Sequence, residues 1–313
     1  MRLAAATVLI LLAGSMSLGK TLLVDGSAPL PGEDGSPARP FRKIQSALNN
    51  AFVGDVVQVA PGTYVENIVV PSGVQLLGAG PSSTFIDGGG RTNTVLIVSE
   101  DPNTLLKGFT ITGGRGLSGG GVFVAGPATI TGNVIIGNRV EGTLQIGGGS
   151  LGAGILVSGE ALIEDNTILL NTAVSGRGGG IAVGGGIPVI TRNVIQANRA
   201  LAASDAFYGY GGGISIFAGA PLVTSNIIEG NRAEMGGGGI DIYLTQPLVA
   251  GNTIIGNHAG LQGRKIGSGG GIHVTGSRSQ PNQLRPVLFN NLVTGNSADA
   301  GAGGVDVEFA NPD

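Results

Sequence analysis

Residues 189–198 read Val189-Ile190-Thr191-Arg192-Asn193-Val194-Ile195-Gln196-Ala197-Asn198, and the same skeleton recurs along the chain. Six times an asparagine is followed five residues later by a second: Asn133/Asn138, Asn166/Asn171, Asn193/Asn198, Asn226/Asn231, Asn252/Asn257 and Asn291/Asn296. Two places after each first asparagine stands a β-branched residue, as at Ile135, Ile168 and Ile195; three places before it stands an apolar one, as at Ile130, Ile163 and Ile190. A spacing this constant is a structural repeat and decides the fold before any single residue does. Upstream of each pair a glycine run opens a short alternating strand, as in Gly178-Gly179-Gly180-Ile181-Ala182-Val183 and Gly269-Gly270-Gly271-Ile272-His273-Val274.

Successive first asparagines lie 33, 27, 33, 26 and 39 residues apart, and each interval holds three runs too short for helices but rich in Ile and Val. Three short strands per repeat predict a triangular coil. Stacked coils pair each strand in parallel with its counterparts, so backbone groups find their partners in the next coil. The glycine runs are expected where φ is positive or backbones come close. Asparagine is expected to take left-handed geometry at the corners and to stack amide on amide along the axis, because its carboxamide donates and accepts without charge. From second asparagine to next inward residue the chain runs 17, 10, 16, 9, 15 and 9 residues, which marks a duplicated two-coil unit. A leucine-rich repeat is excluded by the missing leucine ladder. Collagen is excluded because the 60 glycines are clustered rather than placed at every third position.

The expected fold is all-β: a parallel solenoid of about nine coils, roughly 43 Å long at ~4.8 Å per coil. Residues 1–19, with Arg2, an apolar run from Leu3 to Ala13 and small residues at Ser17 and Gly19, fit a secretory signal peptide. An N-terminal strand and capping helix are assigned to 20–55, where Ile44, Ala47, Leu48 and Ala51 share one helical face, and the solenoid proper to 56–313. The chain lacks cysteine, so no disulfide framework is available. Without the leader, 16 basic residues face 20 acidic ones, scattered along the sequence, which argues against a nucleic-acid partner. Pro188, Pro221 and Pro247 each lie seven residues after an inward isoleucine, and Pro312 has the same offset from Val305. A truncated chain is therefore expected, with an uncapped last coil through which copies self-associate.

These residues resemble the right-handed parallel β-helix superfamily that includes pectin and pectate lyases, over nearly the whole mature chain. Residues 21–80, with Pro40-Phe41, Gly54-Asp55 and Pro61-Gly62-Thr63-Tyr64-Val65-Glu66, look like the N-terminal module of secreted bacterial β-helix proteins of unknown activity. The resemblance implies an exported protein, secreted or at the cell surface. Such a protein would contact extracellular or cell-envelope polysaccharide, with lyase or hydrolase activity as one outcome and a non-catalytic, adhesin-like role as the other. The resemblance carries over no catalytic residue. His258 lies in Gly256-Asn257-His258-Ala259 rather than Gly-His-Gly, Asp101-Pro102 continues into Asn103, and Arg264-Lys265-Ile266 reverses the hydrolases' order.

The alternating strand supplies the candidate site. One outward column reads Phe123, Leu156, Ala182, Ser215, Asp241, His273, Asp306, and the next ends in Phe217, Tyr243, Thr275, Glu308. Coil stacking is expected to put His273 between Asp241 and Asp306, so these three are the candidate catalytic residues. Tyr208, Tyr210, Phe217, Tyr243 and Arg278 are the candidate substrate-binding residues, since aromatic faces beside charged groups suit a sugar ring. The bland reading is a solvated ion-pair ladder. Calcium is the cofactor that oxygen donors at Asp241, Asp306 and Glu308 would suit.

Overall fold

The computed structural model describes residues 19–29, 32–142, 150–202, 209–260, 266–277 and 285–310. Strands too short to bury a face alone stack into long parallel sheets that wind about one interior. Among the described residues, sheet 1 has ten strands, from Thr21–Val24 to Val287–Phe289, and sheet 2 has nine, from Gly62–Val65 to Leu292–Thr294. A third sheet follows, made of seven strands of two or three residues, from Arg115–Gly116 to Ser297–Ala298. Sheet 4, the glycine-run sheet, has nine strands from Ile68–Val70 to Val305–Ala310. From the coil that begins at Leu105–Lys107 onward, a turn therefore has four sides, where the sequence predicts three. The extra side escaped notice because its inward residues, Ala173, Ala200, Ala233 and Ala259, are too small to read as core, although all are buried.

The interior is built from the predicted columns. Ile130, Ile163 and Ile190 of sheet 1, Ile135, Ile168 and Ile195 of sheet 2, and Ile155, Ile181 and Ile214 of sheet 4 are fully buried in one continuous cluster. Each such side chain contributes about 1.5–3 kcal/mol of transfer free energy.

The asparagines form two ladders along the axis. The backbone N–H and Nδ2 of Asn193 both donate to Oδ1 of Asn226, at 2.9 and 3.0 Å. Asn226 repeats the arrangement toward Asn252, at 3.0 and 2.9 Å. Aspartate lacks the donor this requires. Left-handed geometry falls elsewhere than expected: Asp165, Arg192 and Ser225 precede the first asparagines, Leu170 and Ala197 the second, and these take φ between 53° and 56°. Asparagine is selected by its amide, while the residue before it makes the bend.

Sheet 3 and the start of sheet 4 lie backbone on backbone, which explains the glycine runs. Gly178 takes φ +70°, and a Cβ on Gly179 would stand 2.5 Å from the carbonyl oxygens of Arg199 and Gly212. At the N-terminal end, Thr21–Val24 pairs with Val56–Val59. The five-residue helix Ile44–Leu48 lays Ile44, Ala47 and Leu48 on the core. Glu66 fixes it by accepting the N–H groups of Ile44 and Gln45 at 2.8 and 3.0 Å. Among the described residues no helix is long and apolar enough to cross a membrane.

Candidate functional site

Strand register in sheet 4 aligns Ser215, Asp241, His273 and Asp306 in successive coils, as the column reading predicts. Burial departs from the expectation of a solvated face. Just upstream of each glycine run the chain folds over the column, and bridges join Arg177 to Tyr210, Tyr210 to Gly236 and Gly236 to Ser268. This roof covers Leu156, Ala182, Ser215, Asp241 and His273. Over His273 it must be glycine, since a Cβ on Gly236 would lie 2.7 Å from Nδ1.

Beneath the roof lies a chain of alternating charges. Asp241, 0% exposed, takes His273 Nδ1 at Oδ1 (3.0 Å) and both Arg177 Nη1 (3.1 Å) and Ser215 Oγ (3.0 Å) at Oδ2. His273, 2% exposed, meets Glu308 Oε1 through Nε2 at 2.9 Å, while Glu308 remains 60% exposed. The second carboxylate on His273 is thus Glu308 rather than Asp306, because the side chain reaches diagonally to the outer column. Burial works against an imidazolium here, but the hydrogen bonds and charges of Asp241, and then of Glu308, outweigh it and raise the pKa above its ordinary value. In that charged form both ring nitrogens donate, and two cations alternate with two anions.

Aromatic rings border this chain. The Arg177 guanidinium lies 4.6 Å from the Tyr210 ring centre and 4.8 Å from that of Tyr243, within cation–π range. Tyr210 also stacks on His273, with centroids 6.4 Å apart. Phe217 does not join Tyr243: a register shift in its strand takes it out of the ladder that pairs Ile216 with Ile242, and its ring leans over Gly184. Tyr208 and Arg278 lie outside the described residues. Sequence reasoning missed Arg177, whose signal was a charge immediately before a glycine run where other coils carry Leu151, Tyr210, Gly236 or Ser268.

Both Asp241 oxygens are engaged by protein donors, so the calcium set of Asp241, Asp306 and Glu308 does not assemble. Among the described residues no group of three or more His, Asp or Glu side chains is arranged to hold a metal ion. What solvent reaches is the rim of the network: Glu308, the edge of Arg177 and the Tyr243 ring.

A family model described as the right-handed β-helix region matches residues 83–311. The chain belongs to the right-handed β-helix family. Solved structures similar to this β-helix protein include an alginate lyase from Paenibacillus sp. str. FPU-7, at 15% identity and a TM-score of 0.43, covering 93% of this chain and 99% of that one. Another is the pectate lyase Pel9A, at 15% identity and a TM-score of 0.35, covering 91% and 80%. No curated protein matches the sequence of this β-helix protein.

Proposed function

We propose that this β-helix protein is exported and contacts extracellular or cell-envelope polysaccharide through the C-terminal part of its sheet 4 face. One observation carries the reading: a sealed Asp241–His273 pair holds three exposed or half-exposed groups, Arg177, Tyr243 and Glu308, side by side on an otherwise weakly aromatic surface. Aromatic faces flanked by fixed charged hydrogen-bonding groups suit sugar rings. Asp241 and His273 act through their neighbours and are positioning residues in this reading.

Closure of the network favours binding without turnover, as in the adhesin-like alternative. Both nitrogens of His273 and both oxygens of Asp241 are occupied, so neither side chain is free to move a proton to a ligand. Lyase or hydrolase activity would have to run on Asp306 and Glu308, the carboxylates that solvent reaches. The test is a binding and depolymerisation screen over neutral and acidic polysaccharides, with and without calcium. Binding that disappears in Tyr243→Ala/Glu308→Gln, with folding intact and no chain cleavage, is the expected result. Absence of binding to every polysaccharide overturns the reading. Cleavage that is lost in Asp306→Asn or Glu308→Gln replaces the binding role with an enzymatic one.

A further inference from the structure

Sheet 3 carries a charged surface that its winding alone creates. The parallel register sets Arg115, Arg139, Arg199, Arg232 and His258 in one outward file, interrupted only by Thr172 between Arg139 and Arg199. Neighbours in the file are about one coil apart, ~4.8 Å, so the file runs roughly 24 Å along the axis. In sequence these residues lie a coil's length apart and look scattered. The fold does not need their charge, since the inward neighbours Val140, Ala200, Ala233 and Ala259 supply the packing. Like charges set directly opposite on a sheet are unfavourable, so such a file calls for a counter-charge.

Among the described residues, ion-pair partners for the file stand only at its ends. Glu141 bridges Arg115, at 3.1 Å, and Arg139. His258 has Asp299 at 3.6 Å and the Ser297 hydroxyl at 2.9 Å. In the middle, Arg199 is exposed and makes no ion pair with a described residue, and Arg232 gives one Nη to the Gly260 carbonyl at 3.2 Å. Glu234, beside the file, is buried with its carboxylate on the N–H of Ala202. The centre of the file is thus positive on a chain whose formal net charge is −3.

We propose that this file is a docking track for an extended acidic glycan laid along the solenoid axis. Guanidinium forks match carboxylate and sulfate groups in two-point contact. A single file suits one polymer strand, and its step is comparable to the length of one sugar ring, so a chain with a charge on every ring meets successive arginines. Single-stranded nucleic acid is bound by a positive groove combined with bases stacked on aromatic rings, and the file contains no Phe, Tyr or Trp. The track lies on a different sheet from the Asp241–His273 face and does not depend on that face binding sugar.

The experiment titrates the full chain with polygalacturonate, which presents carboxylates, and with dextran sulfate, which presents sulfates. Neutral dextran and a single-stranded DNA oligonucleotide are the comparators. At least one acidic glycan should bind, more weakly as salt rises, and neutral dextran should not. Arg199→Gln/Arg232→Gln should weaken binding by about tenfold or more, and the paired lysine variant should lose less. Because Arg232 also holds a backbone carbonyl, Arg199→Glu alone is the second variant, expected to unfold at the parent temperature and to lose binding. Tyr243→Ala/Glu308→Gln should leave this salt-sensitive binding intact, which separates the track from the sheet 4 face. The proposal is overturned if neither acidic glycan binds, if Arg199→Glu binds as the parent does, or if DNA binds as tightly as the glycans.

Discussion

Replacing Asn226 by alanine tests whether the asparagine ladders hold the solenoid together. In the parent, Oδ1 of Asn226 is the acceptor for both the N–H and the Nδ2 of Asn193. The Nδ2 group retains the carbonyls of Ile163 and Thr191, at 2.9 and 3.0 Å, so its loss is partial. The Asn193 N–H has no other acceptor among the described residues, and both residues are about 1% exposed, so water cannot replace the bond without opening the corner. One orphaned buried N–H costs about 1–3 kcal/mol. The Ile190 carbonyl loses its side-chain donor as well, so a loss of about 2 kcal/mol is expected. Asn226→Asp keeps the acceptor but removes the donor and sets a charge 2.9 Å from Oδ1 of Asn252, so it should be worse at neutral pH and recover as the carboxylate is protonated. Denaturant midpoints for parent and variants, with amide exchange read at Asn193, measure the effect. An unchanged midpoint in Asn226→Ala together with unchanged protection at Asn193 would refute the ladder as a source of stability.

Leu170 holds φ +56° with its side chain in solvent, so Leu170→Gly should stabilise the protein by about 1 kcal/mol, read as a raised denaturation midpoint. An unchanged or lowered midpoint would show that the corner is not strained. His273 holds its proton more tightly folded than unfolded, so its contribution is complete below the unfolded value of about 6.5 and fades as pH rises through the higher folded value. His273→Gln should remove that slope from the stability–pH curve, and a slope that persists assigns it to other groups. The outermost strands expose Phe289, Leu292, Val305 and Val307, so the 313-residue polypeptide should self-associate with rising concentration in light scattering, and a stable monomer would contradict this.

The solenoid was legible because its signals repeat at fixed offsets. The asparagine pairs, the Ile and Val columns and the glycine runs gave the sheet 1, sheet 2 and sheet 4 strands, and they put Asp241, His273 and Asp306 in register. Legibility ended where the signal was small or crossed a loop of variable length. An alanine column such as Ala200, Ala233 and Ala259 looks like filler until its complete burial is seen. Arg177 meets Asp241 across two glycine-run strands, and no spacing rule links residues 64 positions apart. The choice of Glu308 over Asp306 depends on side-chain reach, which a column of letters does not carry.

The constancy of the Asn–Asn register makes the length of this protein quantised. From Asn166 to Asn226 the numbering advances by 60, one long and one short coil together, and the two positions stand two rungs apart on the same ladder. Excising residues 166–225 would bring Asn133 onto Asn226, rejoin all four sheets in phase and leave the lid helix and the final coils untouched. Arg177 and Ser215 would leave with the excised block, and Asp241 would lose both partners at Oδ2 while the scaffold beneath it kept its pitch. Scaffold and surface can therefore be edited as separate parts: coils come and go in pairs, and each pair carries its own side chains onto the outer faces.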